Sequence, residues 1–347
     1  MDHSTKPTAT RPAADRGAIW LGLLVLYVVW GSTYLGIAVA VQTIPPFLMA
    51  AIRFVIAGLV LLGWSWARGG RGFVPPTRRE WRDSAIVGAL LLGGGMGMVA
   101  YGEQTVPSGI TALLVAMMPV WVAILGRVFL GERLPWLAVV GIAVGFAGVA
   151  ILVGPTALGG AGALDPVGLA AIFLSPLCWS VGSLFASHRA VLPRQPLVAT
   201  GAQMLAGGVV LTLMGAVTGE LGRFSVEAIS AASWAALAYL TIVGSLLAFT
   251  AYGWLLRVAP LPFIATYAYV NPVVAVILGA IVLHEPVDPR TLVAGAIIVA
   301  AVALIVTARG RMHAPRSQAG ERPRPVSPPP APSATRAEPG PSRSASG

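Results

Sequence analysis

Charged residues are scarce in this chain: Asp, Glu, Lys and Arg make up 10% of its 347 positions, where a soluble domain carries roughly 25%. That shortage excludes an ordinary water-soluble globule. Cysteine is almost missing too. Cys178 stands alone, so neither an intramolecular disulfide nor a thiolate metal cluster can form, and the residue is expected to pack as a small apolar side chain. The four histidines are scattered, which leaves no metal constellation. Lys6 is the sole lysine and no Gly-x-x-x-x-Gly-Lys loop occurs, so direct coupling to ATP is excluded. Gly93 and Gly95 lie inside an apolar run with no strand before them and do not make a nucleotide loop. No cofactor is expected.

Apolar residues are abundant, at 56% of the chain with a mean hydropathy of +0.80. They fall into ten runs, 18–40, 47–66, 85–104, 108–130, 135–153, 166–186, 196–218, 231–256, 262–283 and 291–307, most of them near the ~17–25 residues that a bilayer-spanning helix needs. The expected fold class is therefore an all-α polytopic membrane protein with ten transmembrane helices. The lipid bilayer is its expected partner, and a small-molecule substrate is expected from the duplication described below.

A net charge of +10 invites a nucleic-acid reading, but position argues against it. Of the 23 Lys and Arg residues, all but Arg53, Arg223 and Arg290 fall on one side of a ten-span arrangement. The positive-inside rule then puts both termini in the cytoplasm and the protein in the cytoplasmic membrane, with no nucleic-acid partner. The cationic lead before the first span has no small-residue cleavage site, so that span is expected to stay as an anchor.

The chain also contains itself twice. Pro107, Pro119 and Glu132 recur 153 positions later as Pro260, Pro272 and Glu285, and Trp30-Gly31-Ser32 is echoed by Trp179-Ser180-Val181. Five spans per copy is an odd number, so the second copy must enter the membrane from the opposite side. Two inverted five-helix repeats, 18–153 and 166–307, are expected. They are joined by an external linker, 154–165, preceded by a cytoplasmic tail, 1–17, and followed by a Pro- and Ser-rich tail, 308–347, expected to be disordered. Small-residue pairs, Gly93/Gly97, Gly141/Gly145 and Ala296/Ala300, are expected at helix contacts. A monomer and a homodimer both fit.

Few polar groups lie at membrane depth. Arg53 is about six residues inside the outer end of the second span, roughly 9 Å deep, where a charge costs about 2.5 kcal/mol or more unless partnered or hydrated. Glu103, in the third span, is the only acidic residue within any of the ten runs. The two are expected to pair, as an outer gate, a substrate anchor or a structural salt bridge. Glu103 is also the one carboxylate able to carry a coupling proton. Asn271, the only asparagine, precedes Pro272, which removes a backbone donor and kinks the helix as Pro119 does in the first copy. Its amide either lines a cavity or satisfies the freed carbonyl. Gln203 is a second buried amide with the same two readings. Trp30, Tyr34, Tyr101, Trp179 and Tyr269, with Trp121, Tyr252 and Tyr267, form an aromatic set that serves the lipid interface, packing or substrate stacking. Trp30 and Trp179 sit mid-span in both copies, which argues against the interface for them. Glu132 and Glu285 are expected to cap the helix that follows each.

Taken in order, Trp30-Gly31-Ser32-Thr33-Tyr34, Arg53-Phe54, Val106-Pro107-Ser108-Gly109, the stretch from Pro119 to Gly131-Glu132, and Tyr267-Ala268-Tyr269-Val270-Asn271-Pro272 resemble the EamA family of the drug/metabolite transporter superfamily, in its YedA-like branch. The resemblance covers about Ile19 to Thr307. It departs at His284, where the first copy has Gly131. It implies export or exchange of a small metabolite by alternating access through a central cavity, with no single substrate class. Competing classes fare worse. One carboxylate and no histidine within the spans leave no catalytic pair for a membrane-embedded enzyme, and a scaffold or sensor has no need of duplicated kinked helices.

Overall fold

The computed structural model describes residues 16–157, 164–259, 261–264 and 266–313, and every regular element among them is helical. Ten principal helices follow one another: α1 (Arg16–Ala40), α2 (Pro46–Gly69), α3 (Arg78–Gly102), α4 (Ser108–Leu130), α5 (Trp136–Ala157), α6 (Pro166–His188), α7 (Pro196–Val217), α8 (Ala231–Tyr239 continuing through Leu240–Leu247 and Ala248–Val258), α9 (Tyr267–Val282) and α10 (Pro289–His313). Among the described residues nine helices are long and apolar enough to cross a membrane. The tenth, α9, has 16 residues and is preceded by a separate turn, Leu261–Ile264. The break comes where the Thr266 hydroxyl bonds the Phe263 carbonyl at 2.5 Å and meets the Tyr27 hydroxyl of α1, side-chain bonds that compete with the helical ladder. Of the expected tails and linker, 1–15, 158–163 and 314–347 lie outside the described residues.

α3 starts at Arg78, well before the apolar run, because Thr77 and Glu80 form a reciprocal capping box that satisfies the first-turn donors. It therefore carries Asp83, 1% exposed, whose carboxylate accepts from the Val191 amide at 2.8 Å and so ties α3 to the α6–α7 connection. Both third helices contain π-helical stretches, Ala89–Gly97 in α3 and Leu240–Leu247 in α8, a geometry that recurs at functional sites.

The two copies are inverted. A Cβ on Gly58 would lie 2.9 Å from the Gly201 carbonyl oxygen, and one on Gly208 would lie 3.4 Å from the Ala51 carbonyl oxygen. Numbers that rise along α2 fall along α7, so these equivalent helices run antiparallel. The fifth helices do the same, with Gly141 against Ile305 and Gly148 against Ile298. Contacts between copies are reciprocal: α1 packs on α8 and α9, as α6 packs on α3 and α4. At atomic scale, Gly31 approaches the Asn271 carbonyl and Ser180 donates to the Met118 carbonyl at 3.3 Å, the same contact seen twice. The expected glycine pairs do face neighbours, but Ala296 and Ala300 are exposed. α10 instead packs through Ala294, Ile298, Ala301 and Ile305.

The helix ends repeat as well. Gly131 and His284 both take positive φ, 67° and 55°, and the next amide reaches back to Gly126 at 3.2 Å in one copy and Gly279 at 3.1 Å in the other. This is a left-handed helix termination. His284 thus keeps the backbone of Gly131. The turn sends the Glu285 carboxylate to the amides of Ser108, at 2.8 Å, and Gly109, at 3.1 Å. Glu285 therefore caps α4 of the other copy and not the following helix as expected. Asp288 fills that place by accepting from the Thr291 amide of α10 at 2.6 Å.

Candidate substrate cavity

The helices of the two copies part around a cavity of about 390 Å³. α1 contributes Trp30, Thr33 and Tyr34, α2 Arg53, α4 Met118 and Pro119, α6 Trp179 and Ser183, α7 Gln203, and α9 Tyr267, Asn271 and Pro272. The lining is built from repeat-equivalent pairs: Trp30 with Trp179, Tyr34 with Ser183, Arg53 with Gln203, Met118 with Asn271, and Pro119 with Pro272. α4 deviates from regular α-helix just before Pro119, where Met117 bonds back to Leu114 at 3.1 Å and Val120 to Met117 at 2.9 Å. These tighter three-residue bonds accommodate the donor that proline lacks.

The two ends of the cavity differ. One reaches Pro196, an exposed residue at the start of α7. The other stops at Ile37, Val99 and Ala112, which are 1%, 2% and 1% exposed. There Ile37 and Val99 join Ala40, Ile44, Met49, Leu237 and Leu240 in one apolar cluster that fills the space between copies.

Trp30 lies within an aromatic cage. Its ring is 4.9 Å from Tyr267 at 78°, 5.5 Å from Phe249 at 65° and 5.3 Å from Tyr252, edge-to-face or tilted arrangements that rings prefer. Trp179 has no such cage among the described residues and lies over the π-helical stretch of α3, where a Cβ on Gly95 would come within 2.8 Å of its ring.

Arg53 is 3% exposed. Its Nε donates to Ser245 Oγ, in the π-helical stretch of α8, at 2.8 Å, and its guanidinium carbon lies 4.9 Å from the Phe54 ring centre. The expected pairing with Glu103 is not formed: among the described residues the only salt bridges are Arg82–Asp83 and Arg290–Asp288. The reason is position, since Glu103 follows the last residue of α3 as its C-cap while Arg53 is a full two turns into α2. Glu103 is 6% exposed and neither carboxylate oxygen has a hydrogen-bond partner. The hydroxyls of Ser108 and Thr111, buried in the first turn of α4, are likewise unpartnered.

Three of the expected site residues lie off the cavity lining: Glu103, Tyr101 and Tyr269. Tyr101 stacks on Phe47 at 5.6 Å and 14° and lines a separate polar pocket with Gln104, Thr105, Asp165, Thr218, Glu220 and Arg223. Tyr269 is two residues from both Tyr267 and Asn271, a 200° rotation on a helix of 3.6 residues per turn, and packs against the α4–α10 core. Asn271 does line the cavity, and its Oδ1 is buried without a partner. Phe249, Tyr252, Tyr267 and Ser183 line the cavity beside the expected residues. Ser183 was within reach of sequence reasoning as the repeat equivalent of Tyr34.

Kinked helices from two inverted copies around a shared cavity define a multi-pass membrane transporter. The sequence matches the EamA-like transporter family over residues 16–154 and again over 166–307, and the chain belongs to that family. It is 39% identical to the uncharacterized inner membrane transporter YedA of Escherichia coli strain K12, over 82% of this chain and 89% of the relative. It is 27% identical to the probable terminal-alkyne amino-acid exporter of Streptantibioticus cattleyicolor, over 83% and 93%. A protein of known crystal structure, 24% identical, superposes with a TM-score of 0.58 over 86% of this chain and the whole of the other, and so shares the fold.

Proposed function

We propose that this protein is a secondary transporter of the cytoplasmic membrane, with both termini inside, that exports or exchanges a small organic metabolite by alternating access between its two repeats. The observation that carries the reading is the one-sided cavity at the seam, buried at Ile37, Val99 and Ala112 and reaching exposed Pro196 at the other end. By the arginine distribution the Pro196 end is cytoplasmic, which supports reading this arrangement as an inward-facing state. Inverted repeats supply the second state, because each copy can take the conformation of the other. The name of the Streptantibioticus relative specifies an amino acid, a solute size that suits a cavity of about 390 Å³.

Glu103 supplies the candidate for proton coupling. A buried carboxylate with no hydrogen-bond partner is costly to keep charged away from water, so a proton taken up there would favour the sealed outer end. Opening that end hydrates it and lets the proton leave.

Access is tested by labelling. With Cys178→Ser as background, Ser183→Cys and Ile37→Cys are exposed to a membrane-impermeant maleimide from each side of oriented vesicles. Ser183→Cys is expected to react from the cytoplasmic side and Ile37→Cys only from outside, with a transported solute shifting the two rates in opposite directions. Reaction of both from one face under every condition sinks alternating access. Glu103→Gln is expected to retain uptake into proteoliposomes while flattening its pH dependence; an unchanged pH profile rules out coupling through this residue.

A further inference from the structure

Arg53 is a buried cation that the protein does not neutralise. Among the described residues its Nε donates to the neutral hydroxyl of Ser245, and no carboxylate forms an ion pair with it. The buried acids that could have served are engaged elsewhere or out of reach. Glu220 caps α2 through the Leu48 amide at 2.9 Å, Glu285 caps α4, and Glu103 is unpaired at the end of α3. A charge in a low-dielectric interior needs a counter-charge or water. The architecture does not require this charge, because the equivalent position in the second repeat is Gln203, which also lines the cavity. Across the cavity on α9, Asn271 Oδ1 is a second buried polar atom without a partner.

We propose that the cavity takes a small organic monocarboxylate, its carboxylate held by the Arg53 guanidinium and its apolar body packed against the Trp30 cage. This rests on the transport reading and names the substrate class of the same site. A guanidinium presents paired N–H donors whose geometry matches a carboxylate. One positive charge balances a monoanion, whereas a phosphate dianion would bring an uncompensated negative charge into an apolar cavity. The free Asn271 oxygen suits an amine or hydroxyl donor on the same ligand, so α-amino and α-hydroxy acids with apolar or aromatic side chains fit best.

The test measures melting temperature of the purified protein in detergent with L-phenylalanine, 3-phenylpropionate, phenethylamine and phenyl phosphate. The two carboxylates are expected to raise it, and the amine and the phosphate to leave it unchanged. In Arg53→Gln, which copies Gln203, the carboxylate response should weaken by at least about 10-fold in apparent affinity, the loss expected for a charge-assisted hydrogen bond. Arg53→Lys should recover part of it. If Arg53→Gln does not accumulate, Ser245→Ala keeps the charge but frees its orientation and should weaken carboxylates by about 3-fold. An equal response to phenethylamine, a carboxylate response that survives Arg53→Gln or Ser245→Ala unchanged, or no carboxylate response at all overturns the proposal. Counterflow of the same four compounds in proteoliposomes separates the two readings. Exchange of the amine without the acids removes only the anion site, and exchange of none removes the transport reading with it.

Discussion

The third helix of each repeat enters a π-helical stretch, but the residue just before it is Gly88 in α3 and Tyr239 in α8. At Gly88 the backbones of α3 and α7 touch: a Cβ there would run into the Gln203 carbonyl oxygen and come within 2.9 Å of the Gly207 amide nitrogen. The corresponding contact in the other copy, α8 with α2, runs through side chains: Arg53 Nε donates to Ser245 Oγ at 2.8 Å, while Tyr239 meets the Ser32 hydroxyl of α1 at 2.5 Å. The same frame is thus locked tightly in one copy and held by a side chain in the other. Two copies with identical packing would form a symmetric object with no preferred opening.

The largest test of this contrast is Gly88→Val. Forcing a branched side chain between two backbones should cost about 3 kcal/mol or prevent accumulation of folded protein, whereas Gly63→Ala, with nothing within 4 Å, should melt within about 0.5 kcal/mol of the parent. Equal melting of the two variants would mean that α3 and α7 are not in intimate contact. Glu285→Ala comes next. It removes the cap that one repeat lends to the other's α4, and a loss of about 1–2 kcal/mol is expected; no shift in melting would show the cross-repeat cap to be dispensable. The smallest effect is expected at the left-handed turns. Gly131 adopts a positive φ freely, while His284 holds the same region against Cβ repulsion worth about 1–2 kcal/mol. Part of any relief is offset by the greater freedom of glycine in the unfolded chain, so His284→Gly should stabilise by about 0.5–1 kcal/mol. Destabilisation instead would assign the imidazole a contact of its own.

Much of this was legible from residue order. The duplication, the span count and the inversion came from apolar runs, a 153-residue offset and an odd number of spans per copy. Several cavity residues followed too: Trp30, Trp179, Arg53, Gln203 and Asn271 stand out because polar or large aromatic groups in mid-span are costly to place against lipid. Other features could not be read in one dimension. The Arg53–Glu103 pairing failed because spans of similar predicted depth do not fix where a helix ends; Glu103 is a C-cap. Glu285 looked like a cap for its own neighbour, and its true partner lies 177 positions away. Tyr269 and Tyr267 look alike in sequence, and only the rotation of α9 separates cavity from core.

The amino-acid order alone determined that this chain spans a membrane as two opposed copies, since hydrophobic length and charge placement act locally and need no knowledge of neighbours. Tertiary structure alone decided which end of the cavity is sealed, that Arg53 is left without an acid, and that each glycine contact is backbone against backbone or filled by a side chain. Those outcomes depend on the distance and rotation between helices far apart in the chain, and close packing makes them sensitive to the last ångström.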